Sequence, residues 1–243
     1  MKRLILVFFI ITVSVAIGSV FAEDVFEEDI ILTSAGDLKI TFIGHSTLMF
    51  TFVDMVIHID PWSRLADYTK LPKADLVIIT HDHPDHLDLN ALEIICTKQT
   101  ELVYTETCAV KYEGGTVMKN GDTVTFRGLN IEAVPAYNFK RENRRTVHPK
   151  GEGNGYIITF GDKRVYVASE TENIPELKLI KGIDVAFLAM DSRFNMTPEN
   201  AVEAAKVFMP KILYPYHFGK SDMSVIESLL KDTGIEVRIR DMK

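Results

Sequence analysis

Cysteine is nearly absent from this 243-residue chain, which has only Cys96 and Cys108. Two thiols exclude a four-cysteine zinc site and a multi-bridge disulfide scaffold, so a metal held here takes His, Asp or Glu. Basic excess is lacking too. Lys and Arg number 27 against 34 Asp and Glu, a formal charge of −7. That balance excludes a dedicated nucleic-acid binder, which needs a cationic face to displace counterions. Beyond the first 22 residues no apolar run reaches spanning length, no Pro- or Ser-rich linker divides the chain, and no repeat or G-x-S-x-G serine elbow occurs. What is left is an ordinary globular composition, 47% apolar and 25% charged, with seven histidines.

The one long apolar stretch lies at the start. Lys2 and Arg3 precede Leu4 to Ile17, Gly18 and Ser19 break the run, and Val20-Phe21-Ala22 stands before acidic Glu23-Asp24. This is the layout of a secretory signal peptide over residues 1–22, which predicts an exported chain, periplasmic or extracellular, with a single domain over 23–243. An uncleaved segment anchoring the chain to the outer face of the membrane is the alternative, and only that reading brings a membrane partner. Cleavage leaves 25 basic against 34 acidic residues, net −9. In an oxidising compartment Cys96, at a helix end, and Cys108, at the end of the following strand, are candidates for pairing; two buried free thiols are the alternative.

Period-two alternation predicts a strand meander over 38–43, 47–52 and 55–59, and the apolar run Leu76 to Thr80 predicts a buried strand. A helix over 89–97 and strands over 102–105, 123–126 and 130–135 follow. Gly161-Asp162-Lys163 marks a hairpin between strands 155–160 and 164–168. Strands over 184–189, 212–214 and 235–239 alternate with helices over 199–208, capped by Thr197-Pro198, and 224–231. Two strand-rich halves with a few helices each predict an α+β fold with sheets packed inside and helices outside.

The chemistry is concentrated where the buried strand ends, in His81-Asp82-His83-Pro84-Asp85-His86-Leu87-Asp88. Imidazole and carboxylate are the donors that zinc and similar borderline cations take. In an extended segment His81 and His83 point the same way, and Pro84 turns the chain so that Asp85 and His86 face a second position. One short loop thereby seeds a two-metal site with ions about 3.5–4 Å apart. Asp60, at a strand end before Pro61, is a candidate to accept a hydrogen bond from a ligand imidazole. His45, beside Gly44, is a candidate pocket residue, and His58 on its alternating strand reads as core.

His81, His83, Asp85 and His86 match H-x-H-x-D-H, and the chain resembles the metallo-β-lactamase superfamily. Gly44-His45-Ser46, Ile59-Asp60-Pro61, Met196 to Pro210 and Pro215-Tyr216-His217-Phe218-Gly219 extend the likeness over residues 30–240. They resemble the branch of small metal-dependent hydrolases with ascorbate-6-phosphate lactonase-like and phospholipase-D-like members. The resemblance implies a four-layer αβ/βα sandwich holding two divalent ions, zinc first, with manganese or iron as alternatives. It also implies His148 as the third histidine of the first metal, with Asn138 of Ala136-Tyr137-Asn138 the alternative. Glu170 stands in Ser169-Glu170-Thr171 where relatives have Gly-Asp-Thr, so it takes the bridging place or chelates one ion only. His217 is implied as the last ligand of the second metal.

A metal-activated hydroxide, oriented by Asp85 as the catalytic residue, would then attack a lactone, ester or phosphodiester. An exported β-lactamase and a degenerate metal-binding protein are the competing readings. Lys140, Arg141, Arg144, Arg145 and Lys150 crowd the loop around His148, which suits an anionic small-molecule substrate. Trp62 and Tyr68 are candidates for an apolar wall.

Overall fold

Short turns divide the chain into strands. The computed structural model describes residues 26–139 and 146–242. The leader reading and Lys140, Arg141, Arg144 and Arg145 therefore lie outside the described residues. A Ser34-Ala35 turn, closed by Gly36 at φ +125°, folds Glu27–Thr33 (β1) back on Gly36–Gly44 (β2). Thr47–Phe52 (β3) and Met55–Ile59 (β4) continue the antiparallel meander. Leu76–Ile78 (β5), Glu101–Tyr104 (β6) and Thr116–Val117 (β7) then add in parallel, completing a seven-stranded sheet in chain order.

The second sheet follows the same plan. Thr123–Phe126 (β8), Leu129–Ala136 (β9), Gly153–Phe160 (β10) and Lys163–Val167 (β11) are antiparallel neighbours. Val185–Ala189 (β12), Ile212–Tyr216 (β13) and Glu236–Val237 (β14) add in parallel. Leu89–Ile95 (α1) and Glu106–Ala109 (α2) belong to the first half; Pro198–Phe208 (α3) and Ser224–Leu230 (α4) belong to the second.

Side-chain alternation sorts these elements into layers. In β5, Leu76 and Ile78 join the large core, while Val77 joins a smaller cluster with Ala91, Leu92 and Ile95 of α1. One face of that strand thus meets the opposite sheet and the other lies under a helix. Between the sheets Phe42 packs on Phe187 and Tyr214, and Phe50 on Phe160 and Phe187. Outside the second sheet Phe208 of α3 meets Tyr166 edge-on. At the sheet margins Asp29 of β1 accepts a bond from the Tyr214 hydroxyl and, at both of its oxygens, from Arg240 Nη2, tying the first sheet to the second.

Two local expectations change, and the free-thiol alternative holds for the cysteines. β1 was not foreseen, because only Ile31 of its apolar residues is buried while Ile30 and Leu32 face outward. Cys108 lies in α2 and not at a strand end: Thr105 accepts the Cys108 N–H and caps that helical turn. Both cysteines are free, and burial pushes each thiol up to about 11, which leaves them inert fillers.

The strand directions position the site. β2, β4 and β5 run one way through the first sheet, and β9, β11 and β13 share one direction in the second. The His217 N–H donates to His45 O at 2.7 Å and the Asn154 N–H to Thr80 O at 3.0 Å, so the exits of both sheets meet at one edge of the sandwich.

His58 is a core residue of β4, its Nε2 3.1 Å from Pro72 O. Burial lowers its pKa from 6.5 to about 4, so over that window the unfolded state binds the extra proton and stability falls as pH drops from 6.5 towards 4. From about pH 7.5 to about pH 5 the group costs about 2 kcal/mol. His58→Gln, which keeps a donor for Pro72, is expected to lose about 2 kcal/mol less urea-unfolding free energy than the wild type over that interval. Equal losses in the two proteins would refute this account of His58.

Candidate metal centre

The histidine loop is held from both sides before any ligand is considered. Lys111 Nζ donates to Asp82 O at 2.7 Å and pairs with its carboxylate at 2.6 Å, pinning the segment between His81 and His83. His83 O accepts the N–H groups of His86 and Leu87, a tight turn set up by Pro84. Asp88 then caps α1 through the Asn90 N–H at 2.9 Å. The loop is thus clamped between a strand end and a helix start.

The second sheet brings the remaining donors. His148 follows β9 and is fixed by Asn138, whose N–H donates to His148 O and whose Oδ1 takes the His148 Nδ1 proton at 2.7 Å. Glu170 follows β11, and its backbone O accepts from Asn138 Nδ2. His217 follows β13. Four residues at these exits, His45, Asp60, Ser169 and His217, lie at φ between 45° and 59°. Left-handed backbone costs a non-glycine residue on the order of 1 kcal/mol or more, and it recurs where side chains must be aimed at a site.

Two groups of donors result. In the first, one atom each from His81, His83, His148 and Glu170 lies within 4.8 Å of the others; in the second the same holds for His45, Asp85, His86 and His217. Glu170 stands between them. Its Oε2 abuts His148 Nε2 and lies 3.9 Å from His81 Nε2, while its Oε1 abuts His217 Nε2 and lies 3.7 Å from His86 Nε2. His45 Nε2 is 3.2 Å from Asp85 Oδ2, and its ring lies 3.8 Å from that of His217.

Asp60 orients one imidazole in each group. Its Oδ2 accepts the His86 Nδ1 proton at 2.7 Å and the Thr80 hydroxyl at 2.7 Å, and that hydroxyl in turn takes the His81 Nδ1 proton at 3.0 Å. Both rings then present Nε2 to the centre. Burial and the neighbouring imidazoles hold His81 well below its usual pKa, leaving it neutral. Burial acts against the charged form of Glu170 too, but His148 and His217 at its oxygens hold it ionised. Asp85 is likewise ionised beside His45 in spite of its burial. For His86 the burial penalty is outweighed by Asp60, which pushes it up to about 10, so a cation loading on Nε2 expels a proton.

The orphaned atoms show that these residues fit a cation. His81, His86, His148 and His217 each bury an Nε2 with no hydrogen-bond partner. Nitrogens so buried are costly unless something takes their lone pairs or, on His86, replaces the Nε2 proton. Imidazoles converging on a carboxylate, with His81, His86 and His148 anchored at Nδ1, make a donor set for a borderline divalent ion.

Comparison with known proteins agrees with this geometry. A family model described as the β-lactamase superfamily domain matches residues 39–217. A UPF0173 metal-dependent hydrolase of Methanopyrus kandleri is 30% identical over 83% of this chain and 95% of its own length. The chain belongs to this family of metal-dependent hydrolases. A crystal structure from Parabacteroides distasonis, assigned as a metal-dependent hydrolase, superposes at TM-score 0.87 with 46% identity over 90% of this chain and all of that one. Igni18, a metallo hydrolase of Ignicoccus hospitalis, superposes at 0.71 with 28% identity over 84% of this chain and 95% of its own. The layers described above are thus those of the metallo-β-lactamase fold.

Within that fold the seven candidate ligands, His81, His83, Asp85, His86, His148, Glu170 and His217, all fall in the two groups. Asn138 is not a rival to His148: its oxygen is occupied by the His148 ring. Lys150 turns away from the donors to Glu176 at 2.6 Å and lies over the Tyr137 ring, so it forms no basic lip. Tyr68 is buried and accepts the Trp62 N–H, leaving Trp62 alone beside the site. His45 was missed as a donor; the signal available was its place after Gly44 at the end of a strand parallel to β4.

Asp60 and Asn138 give separable predictions. Asp60→Asn is expected to weaken metal binding about 10- to 100-fold in both groups, and Asn138→Ala by the same factor in the His148 group alone. A stepwise chelator-competition titration reads this as two weakened steps in one variant and one in the other.

Proposed function

We propose that the chain is an exported binuclear metallohydrolase of a small-molecule lactone, ester or phosphodiester, with zinc as its resident ion and manganese or iron as alternatives. The observation that carries this reading is Glu170, with one oxygen toward each donor group. The predominance of imidazole among the donors supports zinc over magnesium or calcium. Divalent cations held there supply Lewis acidity, bringing water to near-neutral acidity and drawing charge from a carbonyl or phosphoryl oxygen.

The chain's own residues set the rest of the geometry. His81, His86, His148 and His217 are buried and close the back of the centre to water. Asp85 and His45, with 33% and 17% of their side chains exposed, and half-buried His83 are the more open side. Asp85, ionised and reachable from solvent, is placed to orient the attacking water. An acid in the Glu170 position favours esters and phosphodiesters over β-lactams, and the orphaned nitrogens argue against a degenerate, metal-free scaffold. The basic, apolar leader supports export.

Metal analysis of the purified chain is expected to find two ions per chain, and chelation to abolish turnover on a panel of lactones, phosphodiesters and β-lactams. His81→Ala and Asp85→Ala should each lower turnover by more than the roughly 100-fold that an outer-shell change costs, with unchanged circular dichroism. Near wild-type turnover by a metal-loaded variant would sink the proposal, and nitrocefin cleavage would redirect it to β-lactams.

A further inference from the structure

A cleft of about 430 Å³ opens beside the second donor group, lined by Trp62, Arg64, Pro84, Asp85, Asp88 and Asn90. Asp85 belongs to both, so a molecule in this cleft touches the exposed edge of the centre. The Trp62 backbone N–H donates to the Tyr68 hydroxyl at 2.9 Å, which fixes the chain there, and the indole ring lies 5.2 Å from that of His45. Ser63 donates its N–H and hydroxyl to Asp88. The same carboxylate takes the N–H groups of Asn90 and Ala91, so four donors answer its charge.

Arg64 is in the opposite condition. Its guanidinium lies over the Trp62 ring at 5.9 Å, it is exposed, and among the described residues it has no ion-pair partner. Two divalent ions set against Asp85 and Glu170 would leave the loaded centre net positive, and Arg64 adds an unanswered cation at the cleft. Asp88, the other acid in the cleft, cannot serve as its partner without giving up the bonds that shape the segment. An oxyanion would answer both charges.

We propose that Trp62 and Arg64 form the recognition subsite for a substrate that carries an oxyanion, phosphate or carboxylate, on an apolar body. The guanidinium takes the oxyanion through its fork of N–H donors, and the indole face packs on the body. The subsite rests on the hydrolase reading of the centre and adds the substrate class to it. It places the source of anion preference on the loop after β4.

Trp62 is the only tryptophan of the chain, so its fluorescence reads the subsite without a label. The zinc-loaded chain is titrated with phenylphosphonate, benzoate and the neutral dimethyl phenylphosphonate. The anions are expected to saturate at lower concentration than the neutral ester, and the tighter of the two names the head group. Arg64→Ala should shrink the anion-over-neutral preference by at least about tenfold, the size of one charge-assisted hydrogen bond. Arg64→Lys should fall between the two, and both variants should keep the wild-type metal stoichiometry. An unchanged preference in Arg64→Ala, or equal weakening of all three ligands, overturns the subsite while leaving the metal centre standing. A chain that takes up no metal overturns the hydrolase reading instead, and the substrate role of the subsite with it.

Discussion

Placing Glu170 between two sets of imidazoles, away from water, is expensive for a carboxylate unless its charge is answered on both sides. The donors that answer it come from strand exits in two different sheets, and no local segment of chain could supply them all. This requirement explains why β2, β4 and β5 share a direction, why β9, β11 and β13 do so in the other sheet, and why both sets end at one edge. It also explains the left-handed backbone at His45, Asp60, Ser169 and His217, where each chain leaves its strand by a sharp bend. The rest of the sandwich, from the Phe42 and Phe187 contact to the helices outside, holds those exits in register.

A layer of fixed residues lies behind the donors. Asp60 reaches His86 directly and His81 through the Thr80 hydroxyl, Asn138 holds His148, and Lys111 ties down Asp82. Each spends its hydrogen bonds on orientation, which leaves the centre rigid at the back, with Asp85, His45 and His83 on its more open side. Rigid donors on sheet ends with variable loops in front give a geometry in which substrate preference can change without disturbing the metal chemistry.

The metal loop was legible in the sequence because four of its donors lie within six residues, so local geometry alone brings them together. His148, Glu170 and His217 were readable only through the family likeness, since a lone histidine on a loop carries no local signal. His45 escaped because its role depends on a positive φ and on His217 crossing over from the other sheet, neither of which has a periodicity. In the fold, most strands announced themselves by alternation or continuous burial. β1 did not, because its outward-facing Ile30 and Leu32 break the pattern an edge strand would otherwise show. Cys108 falls in a helical turn because Thr105 caps it, a signal carried by the chain itself.

The two sheets have the same plan, four antiparallel strands followed by three parallel ones, and each contributes an incomplete set of donors. His45, His81, His83, Asp85 and His86 come from the first, and His148, Glu170 and His217 from the second. Each donor group draws members from both halves. An ion bound across this seam would therefore act as a staple as much as a reagent, making the cohesion of the halves and the readiness of the enzyme a single property.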